Sequence, residues 1–123
     1  GVVIPKDRAA SITPAVIKAS AGAVNHIPVA RVTNISNVIE ELKRERVWIV
    51  GADAKAQKAA YEEDLSKVDL GLVIGNEAKG LSAKVRDKCD FLVSIPQSGT
   101  VTSLNASVSA GVLIYEIMRQ RGR

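Results

Sequence analysis

Aromatic side chains are scarce in this chain, at 3% of residues, and cysteine, histidine, methionine and tryptophan each occur once. The single cysteine, Cys89, excludes an internal disulfide and fits a reducing compartment, so a cytoplasmic location is expected. Cys89 itself reads as a small buried apolar residue. One His and one Cys cannot make a zinc site without a cluster of carboxylates, and none is legible, so no metal is expected. His26 has no spacing that ties it to a Ser/His/Asp set and reads as a surface or capping residue. No apolar run approaches the ~20 residues that cross a bilayer and nothing resembles a signal peptide, which predicts no membrane partner. Two phosphate-binding fingerprints are also missing. Gly75-x4-Gly80-Leu81-Ser82 nearly spells a P-loop, but Leu81 stands where the phosphate-binding Lys must be, and no G-x-G-x-x-G follows any strand-like run.

What the chain has is an ordinary globular balance, 46% apolar and 24% charged over 123 residues, enough for one domain spanning 1–123. A net charge of +4 fits a polyanionic partner such as RNA or DNA. With 13 acidic residues mixed among 17 basic ones, a purely solubilising role for that charge stays equally open.

Along the chain, Gly1 to Pro5 is an apolar, buried-type strand with no initiator Met before it, so either a tag was removed from a shortened protein or an upstream segment is absent. Asp7 to Ile12 read as a polar connection. Thr13-Pro14 starts a short helix that Gly22 can end. Pro28 to Val32 alternates as a short or edge strand. Ser36 or Asn37 then offers an N-cap, with Glu40 completing a capping box, for a surface helix whose apolar face is Val38, Ile39 and Leu42. Val47 to Val50 is a buried strand stopped by Gly51-Ala52-Asp53, and Ala54 to Asp69 is a loop with one helical turn in which Tyr61 is a packing residue rather than a base-stacking platform. Leu70 to Ile74 is the most continuous apolar strand, of the kind covered on both faces. Ser82 caps a helix over Ala83 to Lys88, stapled by Leu81. Phe91 to Ile95 is the last strand. Leu104, Val108, Val112, Tyr115 and Met118 then recur at helical spacing and predict a final helix of about 16 residues.

The glycine-rich and small polar loops Gly75-Asn76-Glu77 and Ser103-Leu104-Asn105 each sit where an apolar run gives way to a helix. In a parallel α/β sheet such strand ends face one crevice. Glycine lets a flat ligand approach the main chain, and Ile74, Ile95 and Leu104 supply apolar walls. Glu77, Ser103 and Asn105 can equally be helix caps. On the residues alone, the chain binds a small polar-apolar ligand at its strand ends.

Leu72-Val73-Ile74-Gly75-Asn76-Glu77-x-x-Gly80-Leu81, followed by Ile95-Pro96-x-x-Gly99-x-Val101-x-Ser103-Leu104-Asn105-Ala106-Ser107-Val108, resembles motifs 2 and 3 of the SpoU/TrmH group of SPOUT RNA 2′-O-ribose methyltransferases. Gly1 to Asp7 and Ser20 to Ala23 are similar to the second strand and following helix of bacterial 23S rRNA guanosine 2′-O-methyltransferases of that group. The resemblance implies an α/β fold, a mostly parallel sheet flanked by helices with a C-terminal trefoil knot, a homodimer, an RNA substrate of the ribosomal kind and S-adenosylmethionine as cofactor. Main chain around Gly75, Ile95 and Leu104 would hold the adenosyl part, with Gly51, Ile74, Pro96 and Ser103 contributing. Glu77, Ser103 and Asn105 would line the side where the target ribose arrives. The group's motif 1, an Asn and then the Arg credited with activating the 2′-hydroxyl, belongs upstream of Gly1 and has no counterpart here. The chain is therefore expected to be an N-terminally incomplete methyltransferase domain, inactive by itself. Two alternatives stand beside it: an inactive RNA-binding or dimerisation module of the same fold, and a flavodoxin-like nucleotide-binding protein.

Overall fold

A computed structural model describes residues 1–6, 11–76, 78–100 and 104–122. The chain forms two compact units, Gly1–Val38 and Ile39–Arg123.

In the first unit, β1 (Val2–Pro5) pairs in parallel with β2 (Val29–Val32), Val2 opposite Val29 and Pro5 opposite Val32. Parallel neighbours need a crossover, and helix α1 (Pro14–Ala19) supplies it. Thr13 Oγ1 accepts the Val16 amide at 3.3 Å and Pro14 occupies the first turn, as the sequence predicts. The helix does not end on Gly22 alone. Ala21 takes the left-handed conformation at φ +52° and Gly22 follows at +82°, so that the Ala21 amide donates to Lys18 O and the Gly22 amide to Ile17 O, a Schellman closure. β1 is more open than its apolar sequence suggests: Val2 is 46% exposed. His26 is exposed and ends a 3-10 turn over Ala23–Asn25. Of the connection expected over Asp7 to Ile12, residues 7–10 lie outside the described residues.

Helix α2 (Ile35–Arg44) starts earlier than expected. Asn34 caps it, its Oδ1 accepting the Asn37 amide at 3.2 Å, while Ser36 is buried within the first turn. The cap falls there because Asn34 follows β2 so closely that its short side chain reaches the third helical amide. After α2, Arg46 adopts φ +63°, and the Val47 amide returns to Leu42 O.

In the second unit, β3 (Trp48–Ala52) is the centre of a parallel sheet in the order β4–β3–β5, with β4 at Leu70–Val73 and β5 at Phe91–Val93. The register sets Val50 opposite Leu72 and Phe91, and Gly51 opposite Val73 and Leu92. Burial follows position: Ile49, Val50 and Gly51 of β3 are buried, whereas β4 is half-buried along its length. The strand expected to be covered on both faces is thus β3 among the described strands, not Leu70 to Ile74. Gly51 lies inside β3 and does not stop it.

Helix α3 (Ala83–Lys88) begins at Ser82, as expected, with its Oγ accepting the Val85 amide at 3.2 Å, and Leu81 beside it is buried. Helix α4 (Ala106–Gln120) is capped by Asn105. Its buried residue is Leu113, which joins Val50, Ala60, Leu65 and Val93 in the core, with Ile117 packed against them. Val108, Val112, Tyr115 and Met118, whose spacing predicts the helix, are exposed. Tyr61, expected to pack, is 63% exposed in a 3-10 turn over Ala60–Glu62. Gln120 holds that turn against α4, Oε1 accepting the Leu65 amide at 2.7 Å and Nε2 donating to Glu63 O at 3.0 Å. Among the described residues, no helix is long and apolar enough to cross a membrane.

Candidate functional site

The ends of all three strands of the second unit open into one cleft. Its walls are Ala52 and Ala54 at the end of β3, Ile74, Gly75, Asn76 and Gly80 after β4, Ile95 and Gln97 after β5, and Leu104, Ala106 and Ser109 at the entry to α4. The cleft's own cavity is about 90 Å³ and opens broadly to solvent. Carboxyl ends of parallel strands are where open α/β sheets bind ligands.

The loop after β4 is closed on itself. The Asn76 amide donates to Gly80 O at 3.1 Å and the Gly80 amide to Asn76 O at 2.7 Å, while Asn76 Oδ1 accepts the amides of Ala78 and Lys79 at 2.8 and 3.1 Å. Gly75 and Gly80 are glycines for different reasons. A Cβ on Gly75 would sit 2.4 Å from Gly80 C and 2.6 Å from Leu81 N, so only glycine lets the loop fold back this tightly; Gly80 has open space around it but φ +69°.

The loop after β3 is tied down by Asp53. Its Oδ1 accepts the Lys55 amide at 2.9 Å, its amide donates to Val93 O, and its Oδ2 lies 3.1 Å from Arg86 Nε. Further on, the chain pairs with β5's continuation, the Ser94 amide donating to Lys58 O and the Ala60 amide to Ser94 O, both at 2.9 Å.

Of the residues singled out from sequence, Ile74, Gly75, Ile95 and Leu104 come together in the cleft wall. Pro96 is exposed between two wall residues. Gly51 is one residue short of the cleft, and its bare Cα accommodates packing: a Cβ there would lie 2.7 Å from Cys89 Sγ, 2.8 Å from Leu81 Cδ1 and 2.9 Å from Leu92 Cδ2. Asn105 is exposed beside Leu104, with Oδ1 accepting the Ser107 amide at 2.9 Å and the Val108 amide at 3.4 Å. Glu77 and Ser103 lie outside the described residues. Sequence reasoning missed Ala52, Ala54, Gln97, Ala106 and Ser109. Their signal is weak: small or polar residues within two positions of an apolar strand end or of the final helix cap. Cys89 is half-buried, its thiol donating to Val85 O at 3.3 Å, and burial pushes that thiol up from its ordinary pKa. Among the described residues, no three His, Cys, Asp or Glu side chains gather as metal ligands would.

Parallel strands joined by helices, with a glycine-rich cleft at their ends, define an α/β domain. The chain belongs to the SpoU rRNA methylase family, whose profile matches residues 1–115. It is 53% identical over 121 residues to YacO of Bacillus subtilis (strain 168), a protein named for the TrmH family of tRNA/rRNA methyltransferases; the match covers 98% of this chain and 48% of YacO. It also superposes on the SpoU methyltransferase AviRb from Streptomyces viridochromogenes with a TM-score of 0.88 at 33% identity, covering 100% of this chain and 50% of AviRb. For AviRb in complex with the cofactor AdoMet the TM-score is 0.86 at 32% identity, over 97% of this chain and 49% of AviRb. The chain therefore spans about half the length of the curated relatives it matches.

Proposed function

We propose that this chain forms the cofactor cleft of an S-adenosylmethionine-dependent 2′-O-ribose methyltransferase acting on ribosomal RNA. The observation that carries this reading is the meeting of Ile74, Gly75, Ile95 and Leu104 at the ends of three parallel strands. These residues fit the cofactor. Three branched aliphatic side chains make walls for an adenine ring, and the tightly folded loop that Gly75 permits brings main-chain groups to the rim. Gly51, Pro96 and Ser103 would support this wall as its neighbours. When bound, the cofactor supplies an electrophilic methyl group for in-line transfer to a ribose 2′-hydroxyl. The chain's own task is to hold the two reactants in line and to exclude other encounters.

Glu77, Ser103 and Asn105 are proposed to line the ribose side. Asn105 stands next to the cleft residue Leu104, at the start of α4. Because its Oδ1 already accepts two helix amides, the side chain's first role is to fix where α4 begins, and this favours the alternative of a module that binds without completing the chemistry. The C-terminal segment is proposed to thread a trefoil knot, a reading supported by the way Leu104, Ala106 and Ser109 share one cleft with the loop after β4. A homodimer is proposed through the exposed stripe of α4, where Val108, Val112, Tyr115 and Met118 repeat at helical spacing on the side away from Leu113.

Calorimetry with S-adenosylhomocysteine tests the cleft: saturable binding is expected, and preference for ATP or a flavin over it would overturn the reading. Labelled-methyl transfer to ribosomal RNA, by residues 1–123 and by a version extended to the length of the relatives, tests the chemistry. We expect transfer only by the extended version. Sedimentation of the extended version should give the mass of two chains.

A further inference from the structure

The two loops that wall the cleft share one guanidinium, which is not itself part of the wall. Asp53 is not itself a wall residue, but its neighbours Ala52 and Ala54 both are. Arg86, on α3, faces it: Arg86 Nε is 3.1 Å from Asp53 Oδ2, and Arg86 Nη2 donates to Leu81 O at 3.4 Å. Leu81 directly follows the wall residue Gly80, and the Gly80–Leu81 peptide is the group against which Gly75 is packed. One guanidinium thus grips the loop after β3 through a carboxylate and the loop after β4 through a carbonyl.

The Asp53 side chain is 14% exposed and that of Arg86 41%, but Arg86 Nε itself is buried, so the contact is only partly shielded from solvent. The Arg86 Nε contact is one of charge and distance, since its N–H does not point at the carboxylate oxygen. Asp53 has the geometry to pass the constraint on, because its other oxygen fixes the Lys55 amide and its own amide is fixed to Val93 O of β5.

We propose that Arg86 is a positioning residue for the cleft, a strut that sets the spacing between the Ala52–Ala54 wall and the Gly75–Gly80 wall and so the affinity for an adenosyl ligand. This deepens the proposed function and rests on it for the identity of the ligand, not for the strut itself. Lysine cannot replace this arginine fully, because a single ammonium lacks the planar fork that reaches a carboxylate and a carbonyl together.

The test uses Asp53→Asn, Arg86→Gln, Arg86→Lys and the Asp53→Asn/Arg86→Gln double variant, read by calorimetry with S-adenosylhomocysteine and by amide hydrogen exchange without ligand. Each single substitution should weaken binding about tenfold, and the double variant should be no weaker than the worse single, because both remove the same link. In the free protein, Asp53→Asn should speed exchange at Gly80 as well as at Lys55, and Arg86→Gln should speed it at Lys55 as well as at Gly80. Exchange that rises at Lys55 alone for Asp53→Asn or at Gly80 alone for Arg86→Gln, or losses of affinity that add, would overturn the strut. If the unsubstituted protein does not bind S-adenosylhomocysteine, the proposed function fails, and the exchange pattern still decides the strut. Arg86→Lys preserves charge and helix propensity, so it supplies the result if Arg86→Gln does not fold.

Discussion

Substituting Gly75 by alanine adds one methyl group where the chain has no room for it. The new Cβ would lie 2.4 Å from Gly80 C and 2.6 Å from both Gly80 O and Leu81 N, all backbone atoms that no rotamer change can move. Relief requires the Asn76–Gly80 loop to swing open, which breaks the reciprocal pair Asn76 N to Gly80 O and Gly80 N to Asn76 O. At about 0.5–1.5 kcal/mol for each hydrogen bond, the loss is about 1–3 kcal/mol. The side chain would strike the protein's own loop rather than the ligand's space, so stability and binding should fall together. Since Gly75, Asn76 and Gly80 all line the cleft, a displacement on the scale of an ångström should weaken S-adenosylhomocysteine binding by about 10²-fold. Urea denaturation measures the first effect and calorimetry the second, with amide exchange at Asn76 and Gly80 reporting whether the loop has opened. Gly80→Asn is the matched control for stability: a Cβ there meets no atom within 4 Å, and Asn tolerates the left-handed φ of +69° that position 80 requires. A Gly75→Ala protein with the wild-type urea midpoint and affinity would refute the close approach and everything built on it.

Gly51→Ala should destabilise by about 1–3 kcal/mol in urea through overpacking against Cys89, Leu81 and Leu92, with ligand affinity retained in the folded protein. Arg46→Gly should stabilise by up to about 1 kcal/mol, because it removes a left-handed non-glycine residue after α2, and an unchanged or lower melting temperature would contradict the φ of +63°. Glu116 is held at a pKa of about 2 by hydrogen bonds from Arg119 and then Gln120, against an ordinary 4.5, so its ionised form stabilises fully above about pH 4.5 and the benefit disappears as pH falls through 2. The stability gap between wild type and Glu116→Gln should accordingly narrow from pH 5 to pH 2, and a constant gap would argue against the pairing. Leu113→Ala should cost about 2–5 kcal/mol as a core cavity, whereas Val112→Ala, one position away on the exposed face, should cost under about 0.5 kcal/mol in the monomer.

Where local chemistry decides an outcome, it is readable in these residues. Thr13 and Ser82 cap helices because a hydroxyl stands one residue before a helix-compatible run, and no tertiary contact is needed to see it. The strands announce themselves as apolar runs, and their ends as glycine or proline. Where competing local signals are equal, the reading fails: Asn34, Ser36 and Asn37 all make good caps, and the structure uses Asn34 because β2 ends just before it. Ala21 in the left-handed region has no sequence signal at all, since alanine is favoured there by nothing except the Gly22 that follows. Gly51 carries a true signal with an ambiguous meaning. A glycine near a strand end can stop the strand, admit a ligand or admit neighbouring side chains, and only the 2.7 Å approach of Cys89 Sγ separates the last from the others. Part of the cleft wall was legible for the same reason in reverse: Ile74, Gly75, Ile95 and Leu104 are large or special enough to be noticed, while Ala52, Ala54 and Ala106 matter by being small.

In helix α4 the periodic apolar stripe lies away from the core. Its inward side has to meet three different neighbours along its length. Ala106 and Ser109 are small where they line the cleft; Leu113 and Ile117 are aliphatic where they reach the core. Glu116 and Gln120 are polar where the Gln120 amide group meets the Leu65 amide, Glu63 O and Glu116 itself. Summed, that face is less apolar than the opposite one, which carries Val108, Val112, Tyr115 and Met118 in the open. A helix in a monomer with one core has no reason to place its more apolar stripe outside, because burial of each such side chain is worth about 1.5–3 kcal/mol. The inversion is accounted for if the outer stripe is also buried, against a second copy, while the inner face is constrained by the cleft at one end and by the Ala60–Leu65 turn at the other. The same helix would then connect the ligand wall, the core and the subunit contact. Changes at Val112 or Tyr115 would be felt first in assembly, changes at Leu113 in folding and changes at Ser109 in binding.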